Sequence, residues 1–209
     1  MAVIDYGFGN IQSVLNALSI LGVHGYRIHN DSSKIFSFNG IILPGVGAFS
    51  PAMNFLHTRK FDLALDEYIK NGKMVYGICL GFQLLFDISY ENGEHKGLGF
   101  IHGKVTKFNH KSIHLKVPHM GWNNIYINNT NSNSMFRNII DKERFYFVHS
   151  YYAIPLNSYQ SSSHCIFGVK FCSSITYKNI WGSQFHPEKS GDKGLQILRN
   201  FINEVNKLK

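Results

Sequence analysis

The sequence predicts an α/β fold: a doubly wound, mostly parallel sheet in a single domain spanning residues 1–209. Three observations carry this. Short apolar runs such as Ala2–Asp5, Gly40–Leu43 and Met74–Tyr76 are the pattern of parallel strands buried on both faces. Apolar residues at helical spacing lie between them. The resulting β-α-β-β-α-β-α order winds into a parallel sheet through right-handed crossovers.

The elements follow in order. Ala2–Asp5 is a short apolar strand that ends in Tyr6-Gly7-Phe8-Gly9-Asn10. Asn10 is a good N-cap for a helix whose face is Ile11, Val14, Leu15, Leu18 and Leu21, and Gly22 closes it. His24–Ile28 reads as the second strand and Gly40–Leu43 as the third, followed by Pro44-Gly45-Val46-Gly47. Helical patterns fill Ala48–Leu56 and Phe61–Asn71. The strand Met74–Tyr76 then runs into Gly77-Ile78-Cys79-Leu80-Gly81, with a helix from Leu80 to about Asp87. The second half is strand-rich: Gly103–Phe108, Trp122–Asn128, Arg144–Ala153, Ile166–Phe171 and Ile180–Phe185. Asn128–Ser134 and Gln160–His164 read as polar surface loops, and Gly194–Leu208 as the final helix, with Leu195, Leu198, Phe201, Ile202 and Val205 on one face.

Composition bounds the function. A hydrophobic fraction of 44% suits a globular chain. No apolar run is long enough to span a membrane, and no secretory signal is visible, so a cytoplasmic location is expected. Three cysteines, Cys79, Cys165 and Cys172, show no CxxC spacing, which argues against a disulfide framework or a metal site. No metal and no cofactor is expected. The net charge of +8 comes from scattered lysines without a nucleic-acid motif; one positive face docking on an acidic protein is the alternative. Gly7-x-Gly9 mimics a dinucleotide fingerprint, but Gln12 stands where the third glycine belongs.

Two segments carry chemistry. A strand that ends in Gly-x-Cys-x-Gly before a helix is a nucleophile elbow with sulfur in place of oxygen. Only glycine fits on either side, because a Cβ there would strike the neighbouring strand or helix. The helix N-terminus favours thiolate at Cys79. Near the other end stands Gln184-Phe185-His186-Pro187-Glu188. Pro187 keeps His186 extended, so His186 and Glu188 share one side. The carboxylate can then orient the imidazole, and the imidazole can take the thiol proton. Cys165 and Cys172 read as packing residues. His119 and His149 read either as structural or as functional histidines, Trp122 as a core aromatic or an interface anchor, and Lys189 as solvated or paired.

These segments and four more, in this order along essentially the whole chain, resemble the class I glutamine amidotransferases, and more narrowly the glutaminase subunits of imidazole glycerol phosphate synthase. The others are Ile4–Asn10, Leu43–Phe49, Val117-Pro118-His119-Met120-Gly121-Trp122-Asn123 and Phe145–Tyr151. The resemblance implies a flavodoxin-like sheet with additional antiparallel strands. It implies hydrolysis of L-glutamine to glutamate and ammonia by the triad Cys79, His186 and Glu188. It implies an oxyanion hole from the backbone N–H groups of Val46 and Leu80, and glutamine recognition by Gly45, Gly47, Gln83, His149, Ser150 and Tyr151. It implies a (β/α)8-barrel cyclase subunit as partner, met by Asn10, Pro118, Met120, Trp122, Tyr146 and Lys189, that receives the ammonia. Other readings are a paralogous amidotransferase that aminates surface-polysaccharide sugars, another cysteine hydrolase on the same fold, and a non-catalytic binding subunit.

Overall fold

The computed structural model describes residues 1–7, 10–109, 115–128 and 134–208. A nine-stranded sheet runs in the order β2-β1-β3-β4-β13-β12-β11-β8-β9. Its first five strands are parallel: β1 (Ala2–Ile4), β2 (Tyr26–Ile28), β3 (Gly40–Leu43), β4 (Met74–Ile78) and β13 (Ile180–Ser183). The others are antiparallel: β12 (Val169–Tyr177), β11 (Ser161–Phe167), β8 (His119–Ile127) and β9 (Arg144–His149). A four-stranded sheet, β10-β7-β5-β6, lies beside it. Its strands are β5 (Phe86–Ser89), β6 (His95–Lys96), β7 (Ile101–Lys107) and β10 (Tyr151–Pro155).

Strand alternation sorts the side chains into two cores. Val3, Ile42, Tyr76 and Ile78 point to one face, where α1 (Ile11–Ile20) and the last helix, α5 (Gly191–Asn206), pack through Val14, Leu18, Leu198 and Phe201. Ala2, Ile4, Ile41, Leu43 and Val75 point to the other, against α2 (Phe49–Thr58) and α3 (Phe61–Lys70). The sheet is therefore wound on both sides, as expected. Asn10 caps α1 as its sequence predicts: its Oδ1 accepts from the Ser13 N–H at 3.2 Å.

Four local expectations are corrected. The helix after Cys79, α4, covers only Leu80–Leu84, because Phe86–Ser89 is needed as a strand of the small sheet. Arg144–Ala153 is not one strand: it breaks at Ser150 and passes from the large sheet to the small one. Ile166–Phe171 holds a hairpin turn, with Gly168 at φ +68 between β11 and β12. Gln160–His164 is not a surface loop, since β11 begins at Ser161 and Gln160, Ser162 and Ser163 are buried. Most of the expected loop Asn128–Ser134 lies outside the described residues.

Candidate active site

The nucleophile candidate sits where β4 ends. Cys79 has φ +50 and ψ −102, a backbone conformation that costs a residue with a Cβ about 1–3 kcal/mol. The surrounding glycines leave no alternative. A Cβ on Gly81 would fall on the Leu43 carbonyl, one on Gly77 on the Gly81 carbonyl, and one on Gly45 on the Ile78 carbonyl and the Leu80 nitrogen. Three backbones thus meet without side chains between them. This contact brings the Gly45–Gly47 segment after β3 against the elbow.

The base candidate arrives by sheet register. β4 and β13 are parallel neighbours, with Ser183 beside Ile78, so the residues after both strands emerge at one sheet edge. The Cys79 N–H donates to the Ser183 carbonyl at 2.7 Å. Three residues beyond Ser183, His186 is held by its backbone: its N–H donates to the Tyr146 carbonyl at 2.9 Å, and the Ser190 hydroxyl donates to its carbonyl at 2.6 Å. His186 Nδ1 lies 2.7 Å from Glu188 Oε1, with both side chains almost wholly buried. A carboxylate can only accept here, so Nδ1 carries the proton. Nε2 is buried and, among the described residues, has no hydrogen-bond partner at ordinary geometry. Burial alone would lower the imidazole's pKa. The Cys79 sulfur and the Glu188 carboxylate outweigh it and raise it to about 10. These two neighbours favour the imidazolium form of His186 over the neutral ring.

A cavity of about 320 Å³ opens over Cys79. Every residue expected to recognise glutamine or hold its oxyanion lines it: Gly45, Val46, Gly47, Leu80, Gln83, His149, Ser150 and Tyr151. Gln83 stands one helical turn from Cys79, and its Nε2 donates to the Tyr151 carbonyl at 2.9 Å and to Gln184 Oε1 at 3.0 Å. The break at Ser150 brings His149–Tyr151 to the cavity, a placement that spacing alone does not predict.

Two further residues belong to this site. Gln184 is fully buried, and its Nε2 donates to Cys79 Sγ at 3.6 Å. Glu91, in the turn after β5, is the one carboxylate among the described lining residues; its Oε2 accepts from the Phe49 N–H at 2.8 Å. Gln184 adjoins the His-Pro-Glu motif, and that adjacency is the signal that could have found it. Glu91 carries no signal, because its place depends on how the small sheet packs.

The expected interface positions divide by exposure. Met120 and Trp122 are exposed on β8, and Trp122 meets Tyr146 edge-on at 6.2 Å across the β8–β9 pair. Trp122 is therefore not a core aromatic. Asn10 is exposed at the start of α1, Lys189 is half-buried in the turn after His186, and Pro118 lines the cavity mouth. Cys165 and Cys172 are buried thiols, each pushed by burial up to about 12, in keeping with packing roles.

His119 and His149 form a buried pair, Nδ1 to Nε2 at 2.9 Å. Burial lowers His119 to about 4. Burial, with His119 beside it, lowers His149 to about 3. Both rings stay neutral in the folded state, whereas the unfolded chain takes up protons near pH 6.5. Their contribution is whole above pH 6.5 and is lost as the pH falls toward 4 and then 3. Urea unfolding at pH 7 and pH 4.5 is expected to show a marked loss of stability, and His119→Asn a smaller one.

The family model for "Glutamine amidotransferase class-I" matches residues 2–205. The chain belongs to that family. Within it, the chain is 43% identical over 203 residues to the imidazole glycerol phosphate synthase subunit HisH of Sulfurimonas denitrificans, a match covering 96% of each. It is 44% identical over 204 residues to the Arabidopsis thaliana chloroplastic imidazole glycerol phosphate synthase hisHF, covering 97% of this chain and 34% of that protein. Among solved structures, PurLQS from Thermotoga maritima shares the fold at a TM-score of 0.74 and 20% identity, over 98% of this chain and 97% of that one.

Proposed function

We propose that this chain is the glutaminase subunit of an imidazole glycerol phosphate synthase, acting in histidine biosynthesis in the cytoplasm. One observation carries the reading: the strained Cys79 opens on a cavity of about 320 Å³, and sheet register holds the buried His186–Glu188 pair at the same strand ends. The identity to HisH subunits over nearly the whole chain supports the pathway.

Cys79 gives its thiol proton to His186, and Sγ attacks the side-chain amide carbon of glutamine. The carbonyl oxygen becomes an oxyanion, held by the Leu80 and Val46 backbone N–H groups; a well-aimed donor of this kind is worth about 2.7–4 kcal/mol. His186 gives its proton to the amide nitrogen, the C–N bond breaks, and ammonia leaves a glutamyl thioester. Neutral His186 then takes a proton from water, the hydroxide attacks the thioester, and glutamate departs as the sulfur is released. Glu188 keeps the His186 proton on Nδ1 and Nε2 toward the reaction. Gly45, Gly47, Gln83, His149, Ser150 and Tyr151 surround the substrate.

Glu91 takes the α-ammonium of glutamine, the one cation that a glutamine brings into this cavity. Glu91→Gln is expected to raise KM for glutamine roughly 10–100-fold, the worth of a charge-assisted hydrogen bond, with a smaller change in kcat. Steady-state glutamate release checks it.

The ammonia passes to a (β/α)8-barrel cyclase subunit seated on Asn10, Pro118, Met120, Trp122, Tyr146 and Lys189, whose ammonium pairs with an acidic residue of the barrel. The 66% of the Arabidopsis hisHF protein that this chain does not match has room for such a partner. The Val46 peptide is misaligned in the free subunit, so hydrolysis is slow until the partner binds. The test is to co-express the chain with its cyclase subunit and compare glutamate release by the pair and by the chain alone. Equal rates would remove the gating. A pair that cannot drive cyclisation with glutamine but can with ammonium salts would remove the glutaminase assignment.

A further inference from the structure

A hydrogen-bond chain runs from strand β8 into the cavity wall, and backbone groups fix its direction at both ends. Asn123 Oδ1 accepts from the Asn124 N–H at 2.8 Å, and Asn123 Nδ2 donates to the Ile166 carbonyl at 3.0 Å. The amide therefore has one orientation. Its second Nδ2 proton goes to His119 Nε2 at 3.1 Å. His119 must then be protonated on Nδ1, and that proton goes to His149 Nε2 at 2.9 Å. His149 in turn is protonated on Nδ1 and donates to the Tyr151 carbonyl at 2.8 Å. The same carbonyl accepts from Gln83 Nε2. One arrangement of protons satisfies the whole chain.

Packing holds the rings in plane. His119 is stacked between Phe147 and Phe167, with centroids 4.7 and 4.3 Å away and interplanar angles near 26 and 25°. On β8, His119 and Asn123 are four residues apart and share the inner face. Met120 and Trp122 stand exposed on the opposite one.

We propose that Asn123 and His119 are positioning residues for glutamine: from strand β8 they fix the His149 ring, the Tyr151 carbonyl and, through that carbonyl, the Gln83 side chain. The inference rests on the cavity being the glutamine site. A subunit that covers Met120 and Trp122 presses on the strand that carries the chain, so binding there and substrate alignment share one element.

The test uses the full chain in complex with its cyclase subunit. His119→Phe and Asn123→Leu remove the donors, and KM for glutamine is expected to rise about tenfold or more, the usual scale for outer-shell partners, with kcat changed far less. His119→Asn keeps a donor where Nδ1 stands and is expected to restore KM to within roughly threefold of the wild type. In a Gln83→Ala background, adding His119→Phe is expected to raise KM no further, because both act through one carbonyl. Nitrogen NMR is expected to show both rings as Nδ1–H tautomers, with the His119 preference lost in Asn123→Leu. An unchanged KM in the folded apolar variants, equal damage from His119→Asn and His119→Phe, or multiplicative effects with Gln83→Ala would each overturn the proposal. If His119→Phe does not fold, Asn123→Leu, altered at a half-exposed position, decides alone. An active wild type with unmoved variants strikes only this inference; an inactive wild-type complex strikes the glutamine reading with it.

Discussion

Replacing Cys79 by glycine is expected to abolish glutamine hydrolysis and, against the usual rule, to give a more stable fold than replacing it by alanine. Both variants remove the sulfur that must form the thioester, so kcat is expected to fall by about 10⁴ or more. They differ in the backbone. In ordinary structure glycine is less stable than alanine by roughly 0.5–1 kcal/mol. At φ +50 and ψ −102 the order inverts, because only glycine holds that conformation without strain. Glycine is expected to lead alanine by about 1 kcal/mol, a rise in Tm of about 2–4 °C for a chain of this size. Calorimetry on the two variants checks the sign. Alanine equal to or above glycine would mean that the elbow stores no strain at Cys79.

The strain is set by the residue pattern itself, which is why the elbow is legible from the order of residue types alone. Glycines at 77, 81 and 45 leave room for backbone-to-backbone contact, and each is filled to the limit. The His186–Glu188 pair is legible for a similar reason: Pro187 restricts the chain enough that local geometry alone brings the two side chains together. Helix faces and the first four strands follow from apolar periodicity.

What the sequence hides depends on neighbours far along the chain. Residues 160–164 are polar enough to read as a loop. Yet Ser163 Oγ lies 2.6 Å from the hydroxyls of both Ser173 and Ser174, so serines pair inside the sheet where apolar side chains are the usual filling. α4 stops early because Phe86 packs against Phe82 and enters the small sheet. Apolar patterning starts the strand at Trp122 and leaves His119 outside it. The strand in fact starts at His119, which places Asn123 on the same face two pleats away and makes the relay to His149 visible.

Removing His186 is expected to cost nearly as much as removing Cys79, and Glu188, after Cys79, helps set the pH at which His186 works. His186→Ala leaves no proton acceptor for the thiol and no donor for the departing nitrogen; a positioned acid–base group contributes about 10²–10⁴ on its own. In the Cys79→Ala background it should add almost nothing, because the two act as one unit. The pH profile separates the roles. His186 must be protonated to release ammonia, and its neighbours raise it to about 10, far above its ordinary 6.5. The alkaline limb of kcat/KM is therefore expected well above neutral pH, with activity falling as the pH rises through the His186 value. Glu188→Gln keeps a hydrogen-bonding group at Nδ1 but removes the negative charge. The imidazolium then loses one of its two supports, and the alkaline limb is expected to move toward neutrality. The physical reason is specific: burial by itself drives His186 the other way, so only the sulfur and the carboxylate keep it charged. A limb that stays in place in Glu188→Gln would assign the whole effect to Cys79 and reduce Glu188 to a tautomer clamp.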